Sequence, residues 1–187
     1  MNAFENLFCS SSLWRYLTKR RVLPWLLSGA TLGDHLLEIG AGFGAATGPL
    51  RERVARVTSL EYSHASAMKL NSHRDTEIVQ GDAARLPFAD GSFSSAVSIL
   101  VLHHLKTPQI QDQSFAEVFR VLRPGGVFLA AEISDSWLHR KMHFRSTFTP
   151  LAPASAFARL TSAGFSRISV DFQIGGFGLS ALKAKAQ

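Results

Sequence analysis

Short apolar runs alternate with amphipathic stretches along most of the chain, the pattern of parallel strands joined by helices. Leu13 to Leu27 reads as a first helix, with Leu13, Trp14 and Leu17 set against Arg15, Lys19, Arg20 and Arg21, and Pro24 predicts a kink or a division in it. His35 to Gly40 then predicts a strand and Gly44 to Val54 a helix. Arg56 to Glu61 predicts a second strand, His64 to His73 the next helix, and Glu77 to Gln80 a short third strand. Ser94 to Val101 is mostly apolar after its first serines, which suits a central strand covered on both faces. Over Ser114 to Leu122, Phe115, Val118, Phe119 and Leu122 recur at helical spacing, and Arg123-Pro124-Gly125-Gly126 stops that helix before a fifth strand at Val127 to Ala131.

Past Glu132 the periodicity is lost. Ser134 to Pro150 is polar, basic and aromatic, and reads as a loop or a mobile helix. A helix over Pro153 to Ala163 ends at Gly164, and strands follow at Ser166 to Phe172 and Leu179 to Lys183. The link Gly175-Gly176-Phe177-Gly178 between them predicts a tight connection and antiparallel neighbours.

With 187 residues, 46% of them hydrophobic and 18% charged, the chain suits one globular domain over 1–187: an N-terminal helical segment to 34, a half at 35–132, and a last segment at 133–187. Cys9 is the only cysteine, which excludes a disulfide framework and a cysteine-rich zinc site and fits a reducing, cytoplasmic setting. No apolar run is long enough to span a bilayer, and the first twelve residues lack the basic-then-apolar pattern of a leader. The net charge of +6 attracts nucleic acid, anionic surfaces and acidic small molecules alike, so it chooses none of them, and nothing in the composition fixes an oligomeric state.

The chemistry begins where a predicted strand runs into Gly40-Ala41-Gly42-Phe43-Gly44 and then a helix, since absent side chains let the backbone approach a ligand. The spacing is G-x-G-x-G rather than the G-x-G-x-x-G of pyrophosphate-binding dinucleotide sites, which disfavours a nicotinamide-dependent dehydrogenase. Glu61 closes the second strand about 20 positions on, the offset of a ribose-binding acid. Gly81-Asp82-Ala83 follows the third strand, where a carboxylate can accept from an adenine amino group and a backbone amide can meet a ring nitrogen. Three such features at the carboxyl ends of three successive strands mark the ligand edge of an open α/β sheet.

The ordered series Leu36-Leu37-Glu38-Ile39-Gly40-Ala41-Gly42-Phe43-Gly44, Leu60-Glu61, Gly81-Asp82-Ala83-Ala84-Arg85-Leu86-Pro87-Phe88, Asp90-Gly91-Ser92-Phe93, Val101-Leu102-His103-His104-Leu105 and Val121-Leu122-Arg123-Pro124-Gly125-Gly126 resembles the class I S-adenosylmethionine-dependent methyltransferases, in particular their quinone-biosynthesis group. The resemblance implies a three-layer Rossmann-like α/β sandwich with a mostly parallel seven-stranded sheet and a C-terminal antiparallel hairpin. It implies S-adenosyl-L-methionine as cofactor and S-adenosyl-L-homocysteine as product. On it, Glu38, Gly40, Ala41, Gly42, Phe43 and Gly44 lie near the methionine part and ribose, Glu61 binds the ribose hydroxyls, Tyr62 packs on the adenine face, Asp82 and Ala83 hold adenine, and Ile99 touches the cofactor through its backbone. Ser94 stands after Phe93 where relatives often carry Asp, a departure with little expected effect on the cofactor.

For the acceptor side, His103 and His104 are the candidate general bases, against a bland role in holding the turn they occupy. The cationic and aromatic stretch Trp137 to Phe148 suits an anionic or aromatic small-molecule acceptor methylated at oxygen or carbon. The fourth strand is followed by no Asn-Pro-Pro-Tyr-like run, and Cys9 lies far from it, so base N-methylation and cysteine-dependent C5 methylation lose weight. An RNA-modifying enzyme and a catalytically silent methyltransferase-like binding protein are the alternatives. The histidines are scattered, and their spacing suggests no metal site.

Overall fold

A computed structural model describes residues 2–70 and 77–185. The seven strands β1 (His35–Ile39), β2 (Arg56–Glu61), β3 (Glu77–Gln80), β4 (Phe93–Ile99), β5 (Leu122–Ile133), β6 (Ser166–Gln173) and β7 (Gly176–Leu182) form one sheet in the order β3-β2-β1-β4-β5-β7-β6. The first five run parallel, and β7 is antiparallel to both β5 and β6. This is the predicted sheet with its reversed hairpin.

Strand side chains alternate between faces, and the buried residues sort accordingly into two cores. Leu37, Ile39, Phe128 and Ala130 join Phe115, Val118 and Leu160 of helices α6 (Pro108–Val121) and α8 (Pro153–Ser162) on one face. Leu36, Val97, Val127 and Leu129 meet Leu23, Leu26 and Leu50, from α3 (Leu23–Leu26) and α4 (Thr47–Arg51), on the other. Both faces of β1 are thus covered, which is why all five of its residues, Glu38 included, are buried.

The N-terminal region adds a helix ahead of the expected Leu13 to Leu27 and divides the rest further than Pro24 alone predicts. It comprises α1 (Ala3–Ser10), α2 (Ser12–Leu17), a π-helical turn over Thr18–Val22, and α3. Ser11 separates the first two by capping Trp14 through its side chain, whereas the π turn runs into α3 with helical backbone at Val22 and Leu23, so Pro24, the second residue of α3, marks a change of helix type rather than a break. The helix expected from Gly44 begins only at Thr47, because Gly42 and Gly44 have positive φ and keep the loop irregular. For α5 (His64–Leu70), the last three positions of the expected helix, 71–73, lie outside the described residues.

A further difference is α6, which starts six residues early, at Pro108 behind a Thr107 cap. Gln111 occupies an inward position there and is fully buried, its amide donating to the Leu102 and Thr149 carbonyls, so a polar letter hides a core site. The stretch after Glu132 contains one short helix, α7 (Trp137–Met142). The turn between the last strands is only Ile174-Gly175, since Gly176 to Gly178 already belong to β7. A methyl on Gly178 would lie 2.8 Å from the Trp25 ring, so that glycine serves the contact between α3 and the sheet.

Candidate functional site

The strand order reverses between β1 and β4, and in open α/β sheets the crevice at that point, beyond the carboxyl ends of the strands, is the binding place. A cavity of about 490 Å³ lies there. Its floor is the loop after β1, from Gly40 to Phe43, with Glu38 behind it. Gly40 has φ +72° and a methyl on it would stand 2.4 Å from Val101 Cγ2, so both its conformation and its neighbour require glycine. Over Gly42, a methyl would meet nothing closer than 4.0 Å, which leaves its backbone open to a ligand.

Two carboxylates brace this region, and one of them holds the loop itself. Glu61 accepts from the Gly42 amide at 2.8 Å through Oε2 and from the Ser63 amide at 2.8 Å through Oε1, tying the end of β2 to the glycine turn. A carboxylate has about four lone-pair positions, so each oxygen can still take a ligand hydroxyl. Glu38 is buried, and its Oε2 accepts from Thr47 Oγ1 at 2.7 Å and Ser59 Oγ at 2.6 Å. Burial raises its pKa, opposed by those two hydroxyls.

Of the candidate cofactor residues, the structure gathers Glu38, Gly40, Ala41, Gly42, Phe43, Glu61, Tyr62 and Ile99 around the cavity. It does not place Gly44 there, whose neighbour is Leu70 of α5. Asp82 and Ala83 also lie off the cavity lining. Asp82 is exposed and caps its own turn by accepting from the Ala84 amide at 2.9 Å.

Across the cavity, the turn after β4 is clamped by Glu132 of β5. Its Oε1 accepts from the Val101 and Leu102 amides at 3.0 and 2.8 Å, while its Oε2 lies 2.5 Å from His103 Nδ1. Leu100, at the start of this turn, is held at φ +57°, a strained value for a leucine at a cavity wall. His103 is 2% exposed and lies off the lining, so it positions the turn. His104 faces the cavity. Its Nδ1 is 3.2 Å from the Thr147 carbonyl, which can only accept, so the proton sits on Nδ1 and the Nε2 lone pair is left free. Burial, assisted by the neighbouring His103, pushes its pKa down to about 4.

Some lining residues escaped the sequence reading. Asn6, Cys9, Trp14 and Thr18 bring the N-terminal segment over the cavity. Thr18 is 1% exposed, and its Oγ1 has no hydrogen-bond partner. It opens the π-helical turn, a local irregularity that recurs at functional sites. No sequence signal distinguishes it from a helix-face threonine. Burial, with Glu5 nearby, raises the Cys9 thiol to about 11, so it carries no thiolate at neutral pH. The donor set fits S-adenosylmethionine: an open glycine backbone, a carboxylate with free acceptor positions, and a buried hydroxyl without a partner on a residue of the other wall.

A methyltransferase domain model matches residues 37–130. The demethylmenaquinone methyltransferase of Beutenbergia cavernae is 34% identical over 148 residues, 76% of this chain and 58% of that protein. The 24-methylenesterol C-methyltransferase 2 of Oryza sativa subsp. japonica is 35% identical over 119 residues, 58% of this chain and 31% of that one. The chain spans about half the length of the curated relatives it matches. Among solved structures, a SAM dependent methyltransferase from Archaeoglobus fulgidus aligns with TM-score 0.76 at 15% identity, covering 96% of this chain and 98% of the other. A protein of Pyrococcus horikoshii OT3 aligns at 0.80 and 16% identity over 98% and 99%. The glycine loop and Glu61 fall within the residues the domain model matches, and the chain belongs to the methyltransferase domain family, the class I S-adenosylmethionine-dependent methyltransferases.

Proposed function

We propose that residues 1–187 form one methyltransferase domain of a cytoplasmic enzyme that moves a methyl group from S-adenosylmethionine to an oxygen or carbon of a small aromatic acceptor of quinol type. The observation that carries this is one cavity whose floor is Gly40 to Phe43 with Glu61 and whose facing wall is His104, Lys106 and Thr147. Its volume falls in the range of about 300–1,000 Å³ common for small-molecule sites. The names of the relatives, which act on demethylmenaquinone and a sterol, support a small apolar acceptor. Among the described residues no helix is long and apolar enough to cross a membrane.

When bound, the cofactor supplies a methyl group already activated on a sulfonium sulfur, so the protein's part is to bind, align and exclude water. Glu61 takes the ribose hydroxyls, Gly42 offers its open backbone, Tyr62 covers the adenine face, and the Thr18 hydroxyl meets the methionine end. On this reading, Asp82 and Ala83 reach adenine from the rim rather than from the cavity wall. Trp14 and the rest of the N-terminal segment keep water from the reacting face. His104 Nε2 accepts the proton that an acceptor hydroxyl sheds as it is methylated. A base with a pKa near 4 is too weak to ionise a phenol beforehand but is ample for the strongly acidic proton of a hydroxyl that is gaining a methyl group.

The test is calorimetry with S-adenosylmethionine and S-adenosylhomocysteine, followed by methyl transfer from labelled donor to demethylated quinols. One-to-one binding of both nucleosides is expected. A protein that binds neither is a silent relative, and the proposal fails.

A further inference from the structure

His103 and His104 after β4 and His143 after α7 converge from segments about 40 positions apart, and we propose that they form a binding site for a divalent transition-metal ion such as zinc. One ring nitrogen from each lies within 4.8 Å of the others. The ring centroids are 4.2, 5.0 and 5.4 Å apart. A tetrahedral ion about 2.0–2.1 Å from each imidazole nitrogen would space three such centroids by roughly 5 Å, so the rings already stand close to ligating distance.

The outer contacts match as well. A metal-binding imidazole usually gives its second N–H to a carboxylate or carbonyl, which fixes the tautomer. Here His103 Nδ1 is 2.5 Å from Glu132 Oε2, His104 Nδ1 is 3.2 Å from the Thr147 carbonyl, and His143 Nδ1 is 2.7 Å from the His139 carbonyl. All three bonds use Nδ1 and leave Nε2 as the ligating atom. Glu5 Oε1 stands 3.5 Å from His143 Nε2 and brings negative charge to the rim of the cluster. Three imidazoles select zinc, copper, nickel or iron(II) rather than magnesium or calcium, which prefer oxygen. His104 lines the cavity, which gives the ion an entry path.

The site is argued without the proposed function, but it shares an atom with it. Both roles draw on the Nε2 lone pair of His104, so a bound ion withdraws the proposed base and acts as a brake on the transfer.

The experiment is titration of the chelator-stripped full chain with cobalt(II), read by its visible absorption. One equivalent with the intense bands of a tetrahedral nitrogen-ligated ion is expected, displaced by zinc. His143→Ala should weaken uptake by at least about a hundredfold, more than the loss of an outer partner costs, whereas His64→Ala on α5 should leave it unchanged. If His143→Ala fails to fold by circular dichroism, His143→Gln takes its place. Wild-type uptake no tighter than that of the folded His143 variant, or lost equally in His64→Ala, overturns the proposal and leaves the trio as packing against Phe148, on which His143 stacks at 4.4 Å.

Discussion

Glu61 Oε2 accepts from the backbone amide of Gly42 at 2.8 Å, so the residue proposed to read the ribose also sets the shape of the loop beneath it. Glu61→Gln keeps the size but turns one acceptor oxygen into a donor that faces an amide. Hydrogen bonds to a charged group contribute about 1.5–3 kcal/mol, so the affinity for S-adenosylmethionine should fall roughly 10- to 100-fold. Calorimetry at neutral pH measures it, and unchanged affinity would remove Glu61 from the site.

Thr18→Val exchanges an unpartnered buried hydroxyl for a methyl of the same shape. The ligand-free protein should gain up to about 1–3 kcal/mol in urea unfolding, the usual cost of leaving a buried polar atom unsatisfied. Cofactor affinity should drop. A variant that binds the cofactor as tightly as wild type shows that the hydroxyl meets no ligand.

Gly40→Ala should be strongly destabilising, since the added methyl meets Val101 Cγ2 at 2.4 Å and φ is +72°. Combining it with Val101→Ala relieves the contact and leaves the backbone strain, about 1–2 kcal/mol for a non-glycine residue in the left-handed region. A double mutant no more stable than Gly40→Ala alone would show that strain, not crowding, decides this position.

His104 has a pKa of about 4 in the folded protein against an ordinary 6.5, so below pH 6.5 the unfolded chain takes up a proton that the native state refuses. Its contribution to stability is complete above about 6.5, declines as the pH falls toward 4, and amounts to at most about 3 kcal/mol. His143 and His35 shift the same way through burial and add to the slope. Urea midpoints between pH 7.5 and 4 should fall, and His104→Gln should flatten the curve. The same variant should lower kcat while leaving the donor's Kd near wild type.

The floor of the cavity, the proposed cofactor side, was legible because its signals are local. Gly40 to Phe43 and Glu61 each stand at the end of a strand whose apolar run announces it, and the parallel order brings those ends together. Asp82 fitted that scheme by position, yet its carboxylate closes its own turn beside the cavity. Thr18 and His143 could not be read in advance. One owes its role to a π turn that shifts helix phase, the other to a chain reversal that sets it against residues 40 positions earlier. Ser94 is instructive in another way. Its Oγ accepts from the His35 amide at 2.9 Å and lies 2.8 Å from the Leu32 carbonyl, so the departure from the family pattern holds down the entry to β1, at the end of the sheet away from the cavity.

The strand order also bears on how the molecule is made. β7 is the last strand in sequence, yet it lies between β5 and β6. During synthesis the floor of the cavity can assemble while β5 still presents a bare hydrogen-bonding edge, and β6 cannot join the sheet until the strand behind it has emerged from the ribosome. Until then the nascent chain carries an apolar strand edge open to pairing with another polypeptide. The hairpin that completes the sheet is therefore also what ends its exposure to misassembly.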